Sequence, residues 1–294
     1  MCKKRNLVYH YTSVDALIGM LKNFSLDKPF ITMRASNVLY LNDPTEYEYG
    51  KAICLNLLKH IERKFKLQRE NYNVASIYDL MSQLDEQNYF RECEFGASSI
   101  PGALSRSTPY IACFSKRRDY LPMWTTYARN GCGVAVGFDL NLLSSNEQYS
   151  VKLCSYSRND SSWNWLQSWA ERNYELMLQQ ANTTDESVKC VVKYDYMFNL
   201  YAMVAVYVKH QAYSYEKEVR CRVDKAENIE YRISNKDLIP YVEFEIPIKY
   251  MREIIIGPVA CSSNLEHSLK MLLRSKKINL DDIDIVKSGV PYRG

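Results

Sequence analysis

The sequence predicts an α+β fold, a mixed or antiparallel β core interrupted by two helical insertions. Strand-like runs stand at both ends and in the middle of the chain, near residues 7–12, 110–114, 134–138, 216–223, 229–233, 240–246, 253–256 and 282–286. Two long blocks, about 44–100 and 160–209, are helical in character and poor in strand signals. The strands and helices do not alternate regularly, as a doubly wound parallel sheet would require.

Leu7 to Thr12 reads as a short strand, followed by a helix from about Val14 to Lys22. Thr12, with Asp15 three residues on, resembles a capping box. Val38-Leu39-Tyr40-Leu41 reads as a second extended stretch running into Asn42-Asp43-Pro44. There Asp43 can cap, Pro44 suits a first helical turn and Glu46 can complete the box. The helix that follows runs to roughly Leu67, with Ile53, Leu57, Ile61 and Phe65 at helical spacing. Residues 71–100 read as further helix and loop.

Tyr110 to Phe114 is the next strand, and a short helix follows from Leu121 to about Arg129. Gly131 and Gly133 make a turn into the strand Val134 to Phe138. Within the second helical block, Val188 to Val208 is apolar on most sides, which predicts a buried helix. A further helix is expected near 264–275, ahead of the last strand.

At 294 residues, 47% apolar and 24% charged, the chain can bury a sizeable core and is expected to be a single domain, 1–294, carrying the two insertions. The nine cysteines are scattered, odd in number and without a CxxC pair, so neither a disulfide framework nor a zinc cage is indicated. Met1 to Arg5 leads straight into a strand-like stretch instead of an apolar signal core. The most apolar stretch carries Lys189, Lys193 and Asp195, which argues against a membrane span. A cytoplasmic protein without a membrane partner is expected. The formal charge of +4 is mildly basic, whereas a dedicated nucleic-acid module usually concentrates more positive charge on one face. The basic runs Lys3 to Arg5, Lys116 to Arg118, and Arg274 with Lys276 and Lys277 read first as solvated surface.

Several chemistries are excluded by motif. There is no GxxxxGK[ST], no HExxH and no GxSxG. The glycines of Gly131-Cys132-Gly133 precede a strand, whereas a dinucleotide fingerprint needs them after one. The four histidines, His10, His60, His210 and His267, are dispersed, so no metal site is expected.

What remains is the segment Glu216-Lys217-Glu218-Val219-Arg220-Cys221-Arg222-Val223. As a strand it would place Glu216, Glu218, Arg220 and Arg222 on one face and Val219, Cys221 and Val223 on the other. One reading is an internally paired, charged outer face. The other is a catalytic carboxylate positioned by an arginine on a rigid strand. In the first strand His10 shares a face with Val8 and Thr12 at a strand end, where binding residues often sit.

The ordered set His10-Tyr11-Thr12-Ser13, Asn42-Asp43-Pro44-Thr45-Glu46, Cys113-Phe114-Ser115, Met123-Trp124 with Tyr127-Ala128, Gly133 to Phe138, and Glu216 to Arg220 resembles domain-of-unknown-function family 2971. Ile256-Gly257-Pro258 and Tyr292-Arg293 fit it too, so the resemblance runs over nearly the whole chain. That family is in turn similar to the ADP-ribosyltransferase superfamily. The resemblance implies an ADP-ribosyltransferase-like core that uses NAD as substrate. It implies that Glu218 is the catalytic glutamate and Glu216 the first carboxylate of the pair. His10, with Thr12 beside it, would bind a ribose hydroxyl, and Ser115 would match the middle serine. Tyr127 or Trp124 would stack on nicotinamide, and Arg220 would complete the NAD-binding set. Lys116, Arg117 and Arg118 could meet a pyrophosphate or an anionic acceptor.

Breaking the nicotinamide–ribose bond builds positive charge on the ribose, which a fixed carboxylate stabilises more than the ground state. The implied acceptor is a macromolecule, protein or nucleic acid. The implied settings are a bacterial toxin or phage defence, and the former brings a neutralising partner protein. Two other classes stay open. One is a non-catalytic module that binds a nucleotide or a protein. The other is a metal-independent nuclease with His10 and Glu218 as acid and base.

Overall fold

The computed structural model describes residues 6–41, 46–83, 109–223, 228–234, 237–259 and 263–293. Asn42 to Thr45, and the part of the 71–100 block beyond Gln83, lie outside the described residues. The chain divides into two compact units. One comprises Met1–Ser36, Tyr110–Leu153 and Tyr215–Gly294; the other comprises Asn37–Pro109 and Cys154–Ser214.

The first unit is built on a large, mostly antiparallel sheet. Its strands are β1 (Leu7–Thr12), β2 (Phe30–Asn37), β3 (Tyr110–Ser115), β4 (Val134–Asp139) and β5 (Tyr149–Leu153). They continue with β6 (Glu218–Val223), β7 (Glu230–Ser234), β8 (Asp237–Pro247), β9 (Met251–Ile256) and β10 (Asp284–Lys287). The order is β10-β9-β4-β1-β3-β2-β8-β7, with β6 branching off β3 and carrying β5. The β9–β10 pair is parallel.

The helices, in chain order, are α1 (Val14–Met20), α2 (Glu46–Lys64), α3 (Lys66–Asn71), α4 (Ile77–Gln83) and α5 (Leu121–Tyr127). Then follow α6 (Leu140–Ser144), α7 (Ser161–Gln180), α8 (Glu186–Tyr207) and α9 (Ser263–Ser275).

Alternation along the strands makes two apolar faces. Val8, Phe114, Val136, Phe138, Val219, Val242 and Ile254 join Leu17 and Met20 of α1 and Leu269 and Leu273 of α9 in the main core. On the opposite face Tyr9, Tyr11, Ala135 and Ile255 pack against Met123 and Trp124 of α5. Both faces of β1 and β4 are thus covered, which is why Val134 to Phe138 reads as one uninterrupted apolar run. Each large apolar side chain buried here contributes roughly 1.5–3 kcal/mol.

Glycine is required at the entry to β4. Gly131 has φ +84°, a left-handed backbone that side chains disfavour. A Cβ on Gly133 would stand 2.1 Å from the Thr12 carbonyl oxygen, so the two backbones meet only because position 133 has no side chain.

Local structure departs from the sequence reading at several places: β5 is a strand that was not expected, and the helix expected to run to Leu67 breaks at Phe65, between α2 and α3. The cap of α1 is Ser13, whose Oγ accepts from the Ala16 amide at 3.1 Å, rather than Thr12, which ends β1. Val38–Tyr40 forms a short 3₁₀ turn, and the strand before it, β2, is the extended element of that region. Glu216 closes a 3₁₀ turn, Gln211–Glu216, and Lys217 adopts φ 43°, so the strand expected from 216 begins at Glu218.

The second unit is helical. Helix α8 packs against α2 and α7. Its residues from Tyr196 to Tyr207 include a run of fully buried side chains, whereas Val188 near its start is 41% exposed. The expected buried helix is therefore buried along its second half. Glu62 of α2 reaches the start of α4, where its Oε1 accepts from the amides of Ile77 (2.7 Å) and Tyr78 (3.1 Å). A carboxylate there satisfies two unpaired helix donors and suits the helix dipole. Among the described residues no helix is long and apolar enough to cross a membrane.

Candidate active site

The polar cluster with the most chemistry forms where β3 ends and β6 begins. Register sets Ser115 opposite Glu218 and Cys113 opposite Arg220, so these four side chains share a face; Phe114 and Val219 share the other. Glu218 and Arg220, two residues apart, point the same way. The Arg220 guanidinium holds the Glu218 carboxylate at both oxygens, Nε to Oε1 at 3.0 Å and Nη2 to Oε2 at 3.1 Å. Their side chains are only 1% and 6% exposed, so this is a buried ion pair instead of the charged outer face that alternation alone allowed.

Glu216 arrives from the turn before β6 and is buried as well. Its Oε1 accepts from the Tyr127 hydroxyl at 2.8 Å, and its backbone oxygen accepts from Ser115 Oγ. Ser115 Oγ in turn accepts from the Arg117 amide at 2.9 Å. Lys116 donates its amide to the Lys217 carbonyl, and Arg117 Nε donates to the Tyr215 carbonyl at 3.1 Å. The positive φ of Lys217 is thus held by the strand opposite. These bonds join Ser115, Tyr127 and Glu216, and strand register sets Ser115 opposite Glu218, on the face that also carries Arg220.

The other sequence-predicted site residues stand apart from it. His10 lies on the reverse face of β1 with Val8, its ring 5.8 Å from that of Phe114. Its Nδ1 is 2.9 Å from the Cys113 carbonyl oxygen. That oxygen can only accept, so Nδ1 carries the proton and Nε2 presents a lone pair. Burial pushes the imidazole pKa below its ordinary value, which favours the neutral ring. Strands β1 and β3 meet at a single register pair, Tyr9 with Ser115, and the His10 ring supplies the bond that a continued ladder would have made at Cys113.

Thr12 is half-buried opposite Val134. Trp124 is wholly buried; its indole N–H donates to Asp119 Oδ1 at 2.8 Å and its ring meets that of Tyr11 edge-on at 4.9 Å. Between the two aromatic candidates, only Tyr127 joins the carboxylate cluster.

A second polar group on the same face escaped the sequence reading. Tyr9, Gly137 and Glu253 stand in a row across β1, β4 and β9. Because Gly137 has no side chain, the Tyr9 ring passes over it, and the hydroxyl donates to Glu253 Oε2 at 2.9 Å. Arg118 donates Nη2 to Glu253 Oε1 at 2.7 Å and Nε to both oxygens. Burial and the adjacent carboxylate push the Tyr9 hydroxyl pKa far up, so it stays a donor. The hydrogen bond to Glu253 raises the Arg118 pKa. Asp119 accepts from Ser288 Oγ (2.5 Å) and the Gly289 amide (2.8 Å), tying the chain after β10 to the 116–120 loop. The legible signal was Gly137, a glycine inside an apolar strand, which often marks a close approach.

Of the basic run 116–118, Arg118 is thus engaged by Glu253, and the Arg117 guanidinium lies 5.1 Å from the Tyr120 ring centroid. Among the described residues no group of three or more His, Cys, Asp or Glu side chains is placed to hold a metal ion.

Comparison with known proteins adds one match. Neither the curated proteins nor the solved structures contain a significant match to the chain. Residues 123–221, from Met123 in α5 to Cys221 in β6, match the model of a family described as Protein of unknown function (DUF2971). The matched stretch contains Trp124, Tyr127, Glu216, Glu218 and Arg220, and it is shorter than the span from His10 to Arg293 over which the sequence resemblance was read. The similarity to that family therefore rests on the segment that carries the two carboxylates.

Proposed function

We propose that this protein is an NAD-dependent ADP-ribosyltransferase that modifies a macromolecular acceptor, protein or nucleic acid. The observation that carries the reading is the pairing of two held carboxylates at the β3–β6 junction. Glu218 is gripped by Arg220, and Glu216 by Tyr127. A carboxylate held ionised in a dry site stabilises an oxocarbenium strongly because it needs no reorganisation as the charge develops. In the reaction the bond between ribose C1′ and nicotinamide nitrogen breaks. The nitrogen takes the electron pair and leaves as neutral nicotinamide; the acceptor atom bonds to C1′, and its proton passes to a base or water.

Each residue of the cluster then takes a role in this reading. Glu218 faces the developing charge, Glu216 serves the acceptor side, and the Tyr127 ring offers an apolar face to the leaving group. His10 lies on the reverse face of β1 from the two carboxylates, so in this reading it holds β1 and β3 apart through its bond to the Cys113 carbonyl and does not touch the ribose. In this reading NAD binding displaces the Tyr127–Glu216 hydrogen bond. The settings of toxin or phage defence, with a neutralising partner, belong to the same proposal.

A second reading, a binding module without catalysis, is favoured by the near-complete burial of the Glu218–Arg220 pair, which suits a structural role. Nicotinamide release from NAD by the purified chain, with cell lysate as the source of acceptor, separates the two. The transferase reading expects release by the wild type and a loss of roughly a hundredfold or more in Glu218→Gln. Absence of release, together with absence of NAD binding by calorimetry, would remove it.

A further inference from the structure

The β7–β8 hairpin carries an apolar surface that the proposed transferase site does not use. Ile229, Tyr231 and Ile233 are 45%, 59% and 82% exposed, and Leu238 is 58% exposed. Tyr231 and Ile233 point to one face of β7 by alternation, and Ile229, just before the strand, continues the series. Ile233 is opposite Leu238 and Tyr231 opposite Pro240, so the apolar side chains of both strands lie on that same face. Strand β7 also ends the sheet order, and among the described residues nothing pairs with its outer edge. Natural edge strands are usually short, charged or covered, because an open edge invites another strand.

The direction of the backbone groups follows from one residue. Pro240 has no N–H, so its position opposite Tyr231 is a pair without ladder hydrogen bonds. The N–H and C=O of Tyr231 therefore point away from β8, toward the open edge, and those of Ile233 point the same way. Glu230 and Arg232 turn theirs inward to Tyr241 and Ile239. The outward groups thus belong to the apolar residues.

The side chains then select the occupant. If two copies of β7 pair antiparallel about a two-fold axis at Tyr231, Tyr231 faces its own counterpart, and Ile229 faces Ile233 of the other copy. These are the hydrogen-bonded pairs, with all apolar side chains on one face. The intervening pairs set Glu230 against Arg232 of the other copy, twice, at the closer spacing of non-hydrogen-bonded pairs. Shifting the register by one residue on one copy would put Tyr231 against Arg232 and mix the two faces. Strand β7 is therefore self-complementary in hydrogen bonding, apolarity and charge in one register.

We propose that β7 is a self-association edge through which two copies of this chain form an isologous dimer with one continuous sheet. The strand pair is smaller than the roughly 800 Å² per partner of a standard interface, so a weak dimer is expected, to be sought from roughly micromolar to hundreds of micromolar chain.

Sedimentation velocity of the full chain across that concentration range tests it. A concentration-dependent dimer is expected, and a monomer at every concentration overturns the proposal. Arg232→Glu, and separately Glu230→Arg, should each weaken dimerisation tenfold or more by setting like charges face to face. The double variant carrying both changes restores the complementary pairs and should recover the wild-type constant. Ile233→Lys, at a largely exposed position, should also give a monomer. A dimer indifferent to all these changes would form elsewhere on the surface and would overturn the assignment, as would failure of the double variant to recover.

Discussion

Arg220 reaches back along its own strand and clasps both carboxylate oxygens of Glu218, at 3.0 and 3.1 Å, in a site nearly closed to water. Two charges have left solvent here, and each compensates the other. Removing one partner of such a pair is far worse than never having built it.

Arg220→Ala should therefore destabilise the chain by about 3–5 kcal/mol, read as a lower urea midpoint at neutral pH. Replacing both residues together, Glu218→Leu with Arg220→Met, should cost much less than the sum of the single changes. Equal and additive losses would show that the two charges do not compensate each other.

Ser115→Ala removes a hydroxyl that donates to the Glu216 carbonyl and accepts from the Arg117 amide in a fully buried position. Leaving those groups unmet should cost about 1–3 kcal/mol, measured by chemical denaturation. Cysteine at this position, with a weak donor, should fall between serine and alanine.

His10 gives a pH signature of definite sign. Burial lowers its folded-state pKa, so below the unfolded value near 6.5 the unfolded chain takes up a proton that the folded chain resists. The His10 contribution is present above that pH and drains away as the pH falls toward the folded pKa. His10→Asn keeps a donor for the Cys113 carbonyl but does not titrate. Urea midpoints at pH 7.5 and 5.5 should fall less in the variant than in the wild type, and equal falls would contradict this assignment.

Gly137→Ala places a methyl group 3.0 Å from the Tyr9 ring and 3.2 Å from Glu253 Cβ. The ring must lift and its bond to Glu253 must lengthen, at about 1–3 kcal/mol. In a Tyr9→Phe background, thermal unfolding should show a smaller effect for the same substitution, because that bond is already gone.

Much of this architecture was legible because local and global preferences agree. Leu7–Thr12 and Tyr110–Ser115 are β-branched and aromatic runs that end in strands, and Gly131 with Gly133 marked a turn that geometry requires. β2 does alternate, with Ile31, Met33 and Ala35 buried and Thr32 and Arg34 between them, but Met and Ala are weak strand formers and blunt that signal. Its identity comes from pairing with β8, more than two hundred residues away. Val38-Leu39-Tyr40 misled for the converse reason, since an apolar triplet fits a tight turn as readily as a strand.

At the site, period two rightly joined Glu218 and Arg220 but wrongly added Glu216, because the left-handed Lys217 resets the alternation. Whether the charged face was buried could not be read locally. Burial depends on what packs over β6, and that information is spread across the chain. The Tyr9–Gly137–Glu253 row belongs to the same class: three residues that become neighbours only when three strands are set side by side.

The branching of the sheet at β3 has a consequence for how the chain is made. Strand β3 needs β1, about a hundred residues before it, and β6, about a hundred after it, as the Tyr9–Ser115 and Ser115–Glu218 pairs show. Neither partner is a sequence neighbour, so both closures are entropically slow steps of high contact order. During synthesis β1 is already out when β3 emerges, but Glu218–Val223 is still to be translated. For those seconds the nascent chain carries an apolar strand with one bare flank, and holding it apart from other chains falls to the ribosome's surroundings rather than to the fold itself.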